Sequence, residues 1–274
     1  MAQKIFIVGC GRSGTHWLGR IITSNPVCAG TVTDVDKKEG SLIALIRNWC
    51  EQGIYYPNKL DSVLPKIYHA YNKYQRKYYP RHYADKTHGA MWIADSLLYM
   101  FPHARFIGIE RSALPTITSL IHRNSSMRTR RSGNRWKKFS IPTGPSGITH
   151  TIAEYYHRLS MYERATLVWI AHRAKMEQMK RIIKDQLLVV SYEKLIRDLP
   201  NQLRLISNFL GFKVKANKES VPDTRPNRKW KKEIPVKEVD KINNLLNRKD
   251  IREEMQYVVS VHLRKRKHIR SLIN

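Results

Sequence analysis

The stretch IFIVGCGRSGTHWLGR (residues 5–20) sets an apolar run, a glycine loop and an amphipathic run in immediate succession. Residues 4–8 read as a short strand bounded by Gly9, and residues 14–23 place Trp17, Leu18, Ile21 and Ile22 at helical spacing. Strand, glycine loop and helix in that order aim backbone N–H groups and a helix dipole at an anion. Gly9 and Gly14 enclose four residues, as in the nucleoside-triphosphate loop GxxxxGK[ST], but Thr15 and His16 stand where that loop has its lysine and hydroxyl. The cation comes earlier, at Arg12. The loop therefore reads as a phosphate cradle with a different donor.

Two further apolar runs suit buried parallel strands: 104–109 (ARFIGI), followed by a helical pattern through Leu114, Ile117 and Ile121, and 187–191 (LLVVS), followed by a helix over 200–210 that stops at Gly211. Strands alternating with helices predict an α/β fold of three layers, a central parallel sheet flanked by helices, with a P-loop-like segment after the first strand. Ligands of such sheets bind at the carboxyl ends of the strands. There the chain places residues 9–15, Glu110 with Arg111, and Ser191 with Tyr192. A helix is expected over 61–79, and another through Ile152, Tyr156, Leu159, Tyr162, Thr166 and Ile170; tyrosines at that spacing are expected in the core. No repeat or boundary interrupts the 274 residues, which are expected to form one domain. A long basic loop over 124–147, broken by Pro142, Gly144, Pro145 and Gly147, suits a lid.

Lys and Arg number 50 against 22 Asp and Glu, a net charge of +28, and residues 112–153 contain no acid at all. Such a field concentrates anions; solvated surface charge, a nucleic-acid partner, and anionic small molecules or glycans are the three readings open from charge alone. Cys10, Cys28 and Cys50 have neither CxxC nor histidine spacing, which points away from zinc or a disulfide framework and toward a reducing cytoplasm. No apolar stretch approaches the roughly 20 residues that span a bilayer, so neither membrane anchoring nor secretion is expected.

The string GRSGTHWL resembles the [KR]SGT[TS]xL loop of the sulfotransferases that use 3′-phosphoadenylyl sulfate, matching it at Arg12, Ser13, Gly14, Thr15, Trp17 and Leu18, with His16 in place of a Thr or Ser. The resemblance implies that residues 12–16 hold the donor's 5′-phosphosulfate and that Trp17 stacks on adenine; by spacing alone Trp17 is equally a core residue. IERSALPTITS is similar to the family's R-x7-S pair, which implies a 3′-phosphate clamp at Arg111 and Ser119. An aspartate common within that segment is absent, and Pro115 is displaced.

ADKTHGAMW resembles the KTH segment, which implies His88 as catalytic base and Lys86 as a support for the sulfuryl group, with Asp85 as the rival base. SYEKL resembles the late YEDL segment and implies that Tyr192 approaches adenine. TRPNRKWKKEIP resembles the closing motif over the 3′-phosphate, here Arg225, Arg228 and Lys229, without its glycines. The matches run in family order from residue 5 to about 235.

The function implied is transfer of a sulfuryl group from 3′-phosphoadenylyl sulfate to an acceptor hydroxyl, with His88 as base and Arg12 and Lys86 stabilising charge. No metal is needed in this scheme. The acceptor stays open between an anionic glycan and a small alcohol or phenol. A P-loop kinase would use Glu110 as its metal-side acid but lacks the loop lysine, and a nucleic-acid-binding protein explains the charge but none of the motifs.

Overall fold

The computed structural model describes residues 2–30, 40–123, 147–216, 226–261, 263 and 266–273, without the side chains of 40–44, 47, 88, 123, 226–229, 266 and 267. Strand β1 (Lys4–Gly9) leads through the glycine loop to α1 (Thr15–Thr23) and the short β2 (Cys28–Gly30). Then come α2 (Gly40–Tyr55), α3 (Leu60–Tyr78), β3 (His82–Asp85), α4 (Ala94–Met100), β4 (Arg105–Glu110) and α5 (Ala113–Arg123). The later elements are α6 (His150–Ala153), α7 (Met161–Ile183), β5 (Leu187–Ser191), α8 (Tyr192–Arg197), α9 (Leu199–Leu210), α10 (Pro226–Glu233), α11 (Val236–Asn247), α12 (Lys249–Val258) and α13 (Arg266–Ile273).

The five strands pair in the order β2-β3-β1-β4-β5, every pairing parallel. Alternate residues of one strand serve opposite layers, as the two-residue period requires. Phe6 and Val8 of β1 join the core beneath α2, α3, α4 and α7, whereas Ile5 and Ile7 join the core beneath α1, α8 and α9. After β1 the chain leaves toward one edge of the sheet, and after β4 toward the other. The crevice of a parallel sheet opens at that reversal, between the carboxyl ends of β1 and β4.

The expected strands at the three apolar runs are present, and 61–79 is a helix from Leu60 to Tyr78 with Tyr71 and Tyr74 buried. The continuous helix expected through Ile152–Ile170 is instead broken: α6 ends at Ala153, a single 3₁₀ turn covers Tyr156–Arg158, and α7 starts afresh at Met161. Ser160 causes the restart, because its hydroxyl accepts from the Glu163 N–H while the Glu163 carboxylate accepts from the Ser160 N–H. That reciprocal cap outcompetes helix continuation. The strands β2 and β3 carry too few residues to announce themselves by periodicity. The basic loop over 124–147 lies outside the described residues up to 146.

Candidate active site

The loop between β1 and α1 is built around two backbone constraints. Gly14 has φ +99°, and a Cβ there would stand 2.5 Å from Cδ2 of Tyr192, so only glycine combines the left-handed turn with the close approach of that ring. Ser13, 1% exposed, turns inward: its Oγ donates to the Cys10 carbonyl at 2.5 Å and reaches the Ile109 carbonyl of β4 at 3.4 Å. Gly14, at the N-cap of α1, makes no side-chain cap to the first amides of the helix. Arg12 sits at φ +69° without being glycine, a conformation that costs a side-chain-bearing residue about 1–2 kcal/mol and that clusters at functional sites.

Two contacts hold Arg12 in that conformation. Arg111 Nη1 donates to the Arg12 carbonyl at 3.0 Å, and Arg12 Nε donates to Ser119 Oγ at 3.1 Å. Thus the R-x7-S pair, singled out by the family resemblance, meets the glycine loop in space. Arg111 is 7% exposed, its guanidinium lies 4.3 Å above the Tyr192 ring, and its own carbonyl accepts from Trp169 Nε1 at 3.1 Å. Pro115 stands in the first turn of α5, where no intrahelical N–H is required.

Tyr192 is 8% exposed and occupies the space behind Gly14 and beneath Arg111, edge-on to Trp17 at 5.9 Å. Trp17 is half-buried against the core under α1, and His16 is exposed in the first turn of that helix. Thr15 is buried. Glu193, which the motif comparison passed over, ties two strand ends together: it accepts from the Ser112 N–H at 2.9 Å and the Ser112 hydroxyl at 2.8 Å with one oxygen, and from Ser191 at 3.0 Å with the other. Partial burial pushes the Glu193 carboxyl up, but these donors outweigh it and hold the group below its ordinary range. Its visible signal was an acid in the first turn after Ser191, which caps α8.

On the other side of β1, the end of β3 delivers Lys86 and Thr87 and then a 3₁₀ turn over His88–Met91. Asp85, 1% exposed, is fully engaged: its carboxylate accepts from Tyr71 Oη at 2.7 Å, Thr87 Oγ1 at 2.9 Å and the Thr87 N–H at 3.2 Å. Lys86 is half-buried at the mouth. The side chain of His88 lies outside the described residues, as does Arg225 entirely. Arg228 and Lys229 fall in α10, with their side chains outside the description; α10 packs through Trp230 on α5, the helix bearing Ser119.

Comparison with known proteins decides the affiliation. The profile of the sulfotransferase family matches residues 4–216. The chain belongs to that family. Among solved structures, the sulfotransferase domain from the curacin biosynthetic pathway is 16% identical with a TM-score of 0.51, over 95% of this chain and 97% of that one. The sulfotransferase from Alicyclobacillus acidocaldarius is 13% identical with a TM-score of 0.52, over 98% and 99%. A mouse sulfotransferase complexed with PAP is 16% identical with a TM-score of 0.45, over 93% and 89%. At such identities the likeness to the first two shows the fold alone. No curated protein sequence matches. Among the described residues of this sulfotransferase no helix is long and apolar enough to cross a membrane.

Proposed function

We propose that this sulfotransferase takes its sulfuryl group from 3′-phosphoadenylyl sulfate and delivers it to an acceptor hydroxyl, releasing adenosine 3′,5′-bisphosphate. The observation that carries the reading is the meeting of two distant motifs, with Arg12 bonded to Ser119 and Arg111 bonded to the Arg12 carbonyl. A loop suited to a 5′-phosphosulfate thus adjoins a pair suited to a 3′-phosphate, which a nucleoside triphosphate would leave unused.

In the transfer, a bond forms between the acceptor oxygen and sulfur as the bond from sulfur to the 5′-phosphate oxygen breaks, and the acceptor proton passes to a base. His88 is the proposed base, with Lys86 and Arg12 stabilising charge on the sulfuryl group and departing phosphate. Arg12 acts electrostatically, because a guanidinium keeps its proton. Asp85 is the poorer base, since its buried carboxylate is committed to Tyr71 and Thr87. The backbone of 13–16 cradles the phosphosulfate, Trp17 and Tyr192 flank the adenine, and Arg225, Arg228 and Lys229 close over the 3′-phosphate. The scheme takes no metal. The acceptor is an anionic glycan, favoured by the charge of +28. The chain works as one domain in a reducing cytoplasm, where the buried thiols of Cys10, Cys28 and Cys50 persist.

Thermal stabilisation by adenosine 3′,5′-bisphosphate, AMP and ATP tests the donor. A ligand at 100 times its Kd adds about 2.7 kcal/mol, so the bisphosphate is expected to raise Tm well above either rival. Arg111→Ala is expected to reduce its effect to that of AMP. Equal responses to bisphosphate and AMP in the unaltered protein would sink the 3′-phosphate clamp.

A further inference from the structure

Helix α3 buries Val63, Ile67, Tyr71 and Tyr74 and exposes Lys66, His69, Lys73 and Arg76 on its opposite face. Their spacing of three and four residues makes one stripe, about 15 Å long at the helical rise. No acidic residue occurs between Asp61 and Asp85, and Asp61 is itself engaged by His268 at 2.8 Å. Among the described residues no carboxylate or aromatic ring meets the side chains of Lys66, Lys73 or Arg76. The cations of α7 differ, since Arg173 and Lys180 share Glu110 and Glu177. Lys73 and Arg76 stand one turn apart and repel one another, so an anion that bridges them is favoured twice, by attraction and by relief of that repulsion.

Beside the stripe lies a groove of about 410 Å³ lined by Tyr68, His69, Asn72, Lys73 and Arg76. Its chemistry is donors and cations around an aromatic whose ring is already used: Tyr68 stacks on Phe101 at 5.5 Å and meets the His69 ring at 5.5 Å. Single-stranded nucleic acid gains much of its affinity by stacking bases on aromatic faces, and Tyr68 is poorly placed to offer one. An amide, an imidazole and two cations suit hydroxyls interspersed with sulfates or carboxylates.

We propose that this face of α3 binds an acidic oligosaccharide, its anionic groups meeting Lys66, Lys73 and Arg76 and its hydroxyls meeting Asn72 and His69. The C-terminal end of α3 leads directly to the start of β3, so the Lys66 end of the stripe points toward the carboxyl ends of the strands, where the donor loop lies. A chain held here is the remote part of an extended acceptor. Only that role as acceptor rests on the transferase reading; the binding does not.

The test is calorimetric titration of the full chain, without donor, with a chondroitin sulfate oligosaccharide, a neutral cello-oligosaccharide, and single-stranded DNA of equal charge. The sulfated sugar is expected to bind, the neutral one not, and the DNA more weakly. The combined variant K66E/K73E/R76E is expected to lose about tenfold in affinity or more, whereas K194E/R197E/R204E, an equal charge change on α8 and α9, loses little. Lys73→Gln with Asn72→Ala provides a milder variant expected to weaken the same binding. Retained stabilisation by adenosine 3′,5′-bisphosphate in each variant shows that the fold and donor loop persist. No binding of the sulfated sugar, equal losses in both charge-reversed variants, no loss in either α3 variant, or DNA binding as tight as the sugar would each overturn the proposal.

Discussion

The ends of β3 and β4 lie on either side of β1 and carry the same dipeptide chemistry, an acid followed by a base: Asp85 with Lys86, and Glu110 with Arg111. In both, the acid turns toward the helical layer containing α3 and α7, and the base follows at the crevice. The anchoring differs. Glu110 is half-buried and meets Arg173 and Lys180 of α7 in ion pairs whose cations are 38% exposed. Asp85 is buried and accepts hydrogen bonds from the Tyr71 and Thr87 hydroxyls and the Thr87 amide. One strand end is held by screened charge and the other by desolvated hydrogen bonds. Exposed pairs contribute little, whereas a buried donor that loses its acceptor costs about 1–3 kcal/mol. The KTH turn should therefore be the more sensitive of the two to loss of its acid.

Asp85→Ala breaks that comparison at its strongest point. It strands the Tyr71 hydroxyl and the Thr87 donors in the core, and should lower unfolding free energy by about 3 kcal/mol, read as a lower urea midpoint with unchanged slope. Asp85→Asn retains an acceptor oxygen and should keep measurable sulfuryl transfer, as befits a structural post. His88→Ala should do the reverse, leaving the urea midpoint nearly unchanged while abolishing transfer and preserving stabilisation by adenosine 3′,5′-bisphosphate. Loss of transfer in Asp85→Asn with full stability would hand the base role to Asp85.

Glu110→Gln probes the other end, and a smaller effect is expected. The two cations of α7 keep their access to water and to Glu177, so the cost should be about 1 kcal/mol or less. Because Trp169 still donates to the Arg111 carbonyl, discrimination between adenosine 3′,5′-bisphosphate and AMP should persist. A loss as large as that of Asp85→Ala would show that the ion pairs, and not the indole, position Arg111.

What the sequence disclosed follows the same division. Glycine positions, the R-x7-S spacing and the apolar strand runs are local features, and each led to the element that the fold contains. Arg111, just after β4, and Ser119, in α5, can lie on one side of the start of that helix by the helical rise. Their partner could not be placed in that way: that Arg12 spans to Ser119 depends on β1 and β4 being neighbours in the sheet, a fact of strand order. Likewise β2 and β3, of three and four residues, are strands only because longer neighbours pair with them. Asp85 read as a rival base because the family resemblance implies an upstream acid in that role, and its engagement by Tyr71 becomes visible only when α3 lies across β3. The break at Ser160 was legible in principle, since Ser160 and Glu163 form a capping box, but the apolar period ran through it unbroken.

Glu193 offers the finest test of how charge is held at the β4 end. Its folded value lies below the usual carboxylate range, because donors from Ser112 and Ser191 favour the ionised form over the opposing effect of burial. Folding therefore stabilises the charged state, and the contribution is complete above the unfolded value of about 4.3 and disappears as pH falls through the folded value. The sign predicts that the Tm advantage of the unaltered protein over Glu193→Gln is present at pH 6 and shrinks below pH 4. The difference should be small, since the group is partly solvated. Glutamine can still accept one bond from Ser112, so the variant isolates the charge from the tether. Parallel Tm curves for the two proteins across that window would mean that the ionised form gains nothing on folding. Ser112 would then hold the strand end by geometry alone.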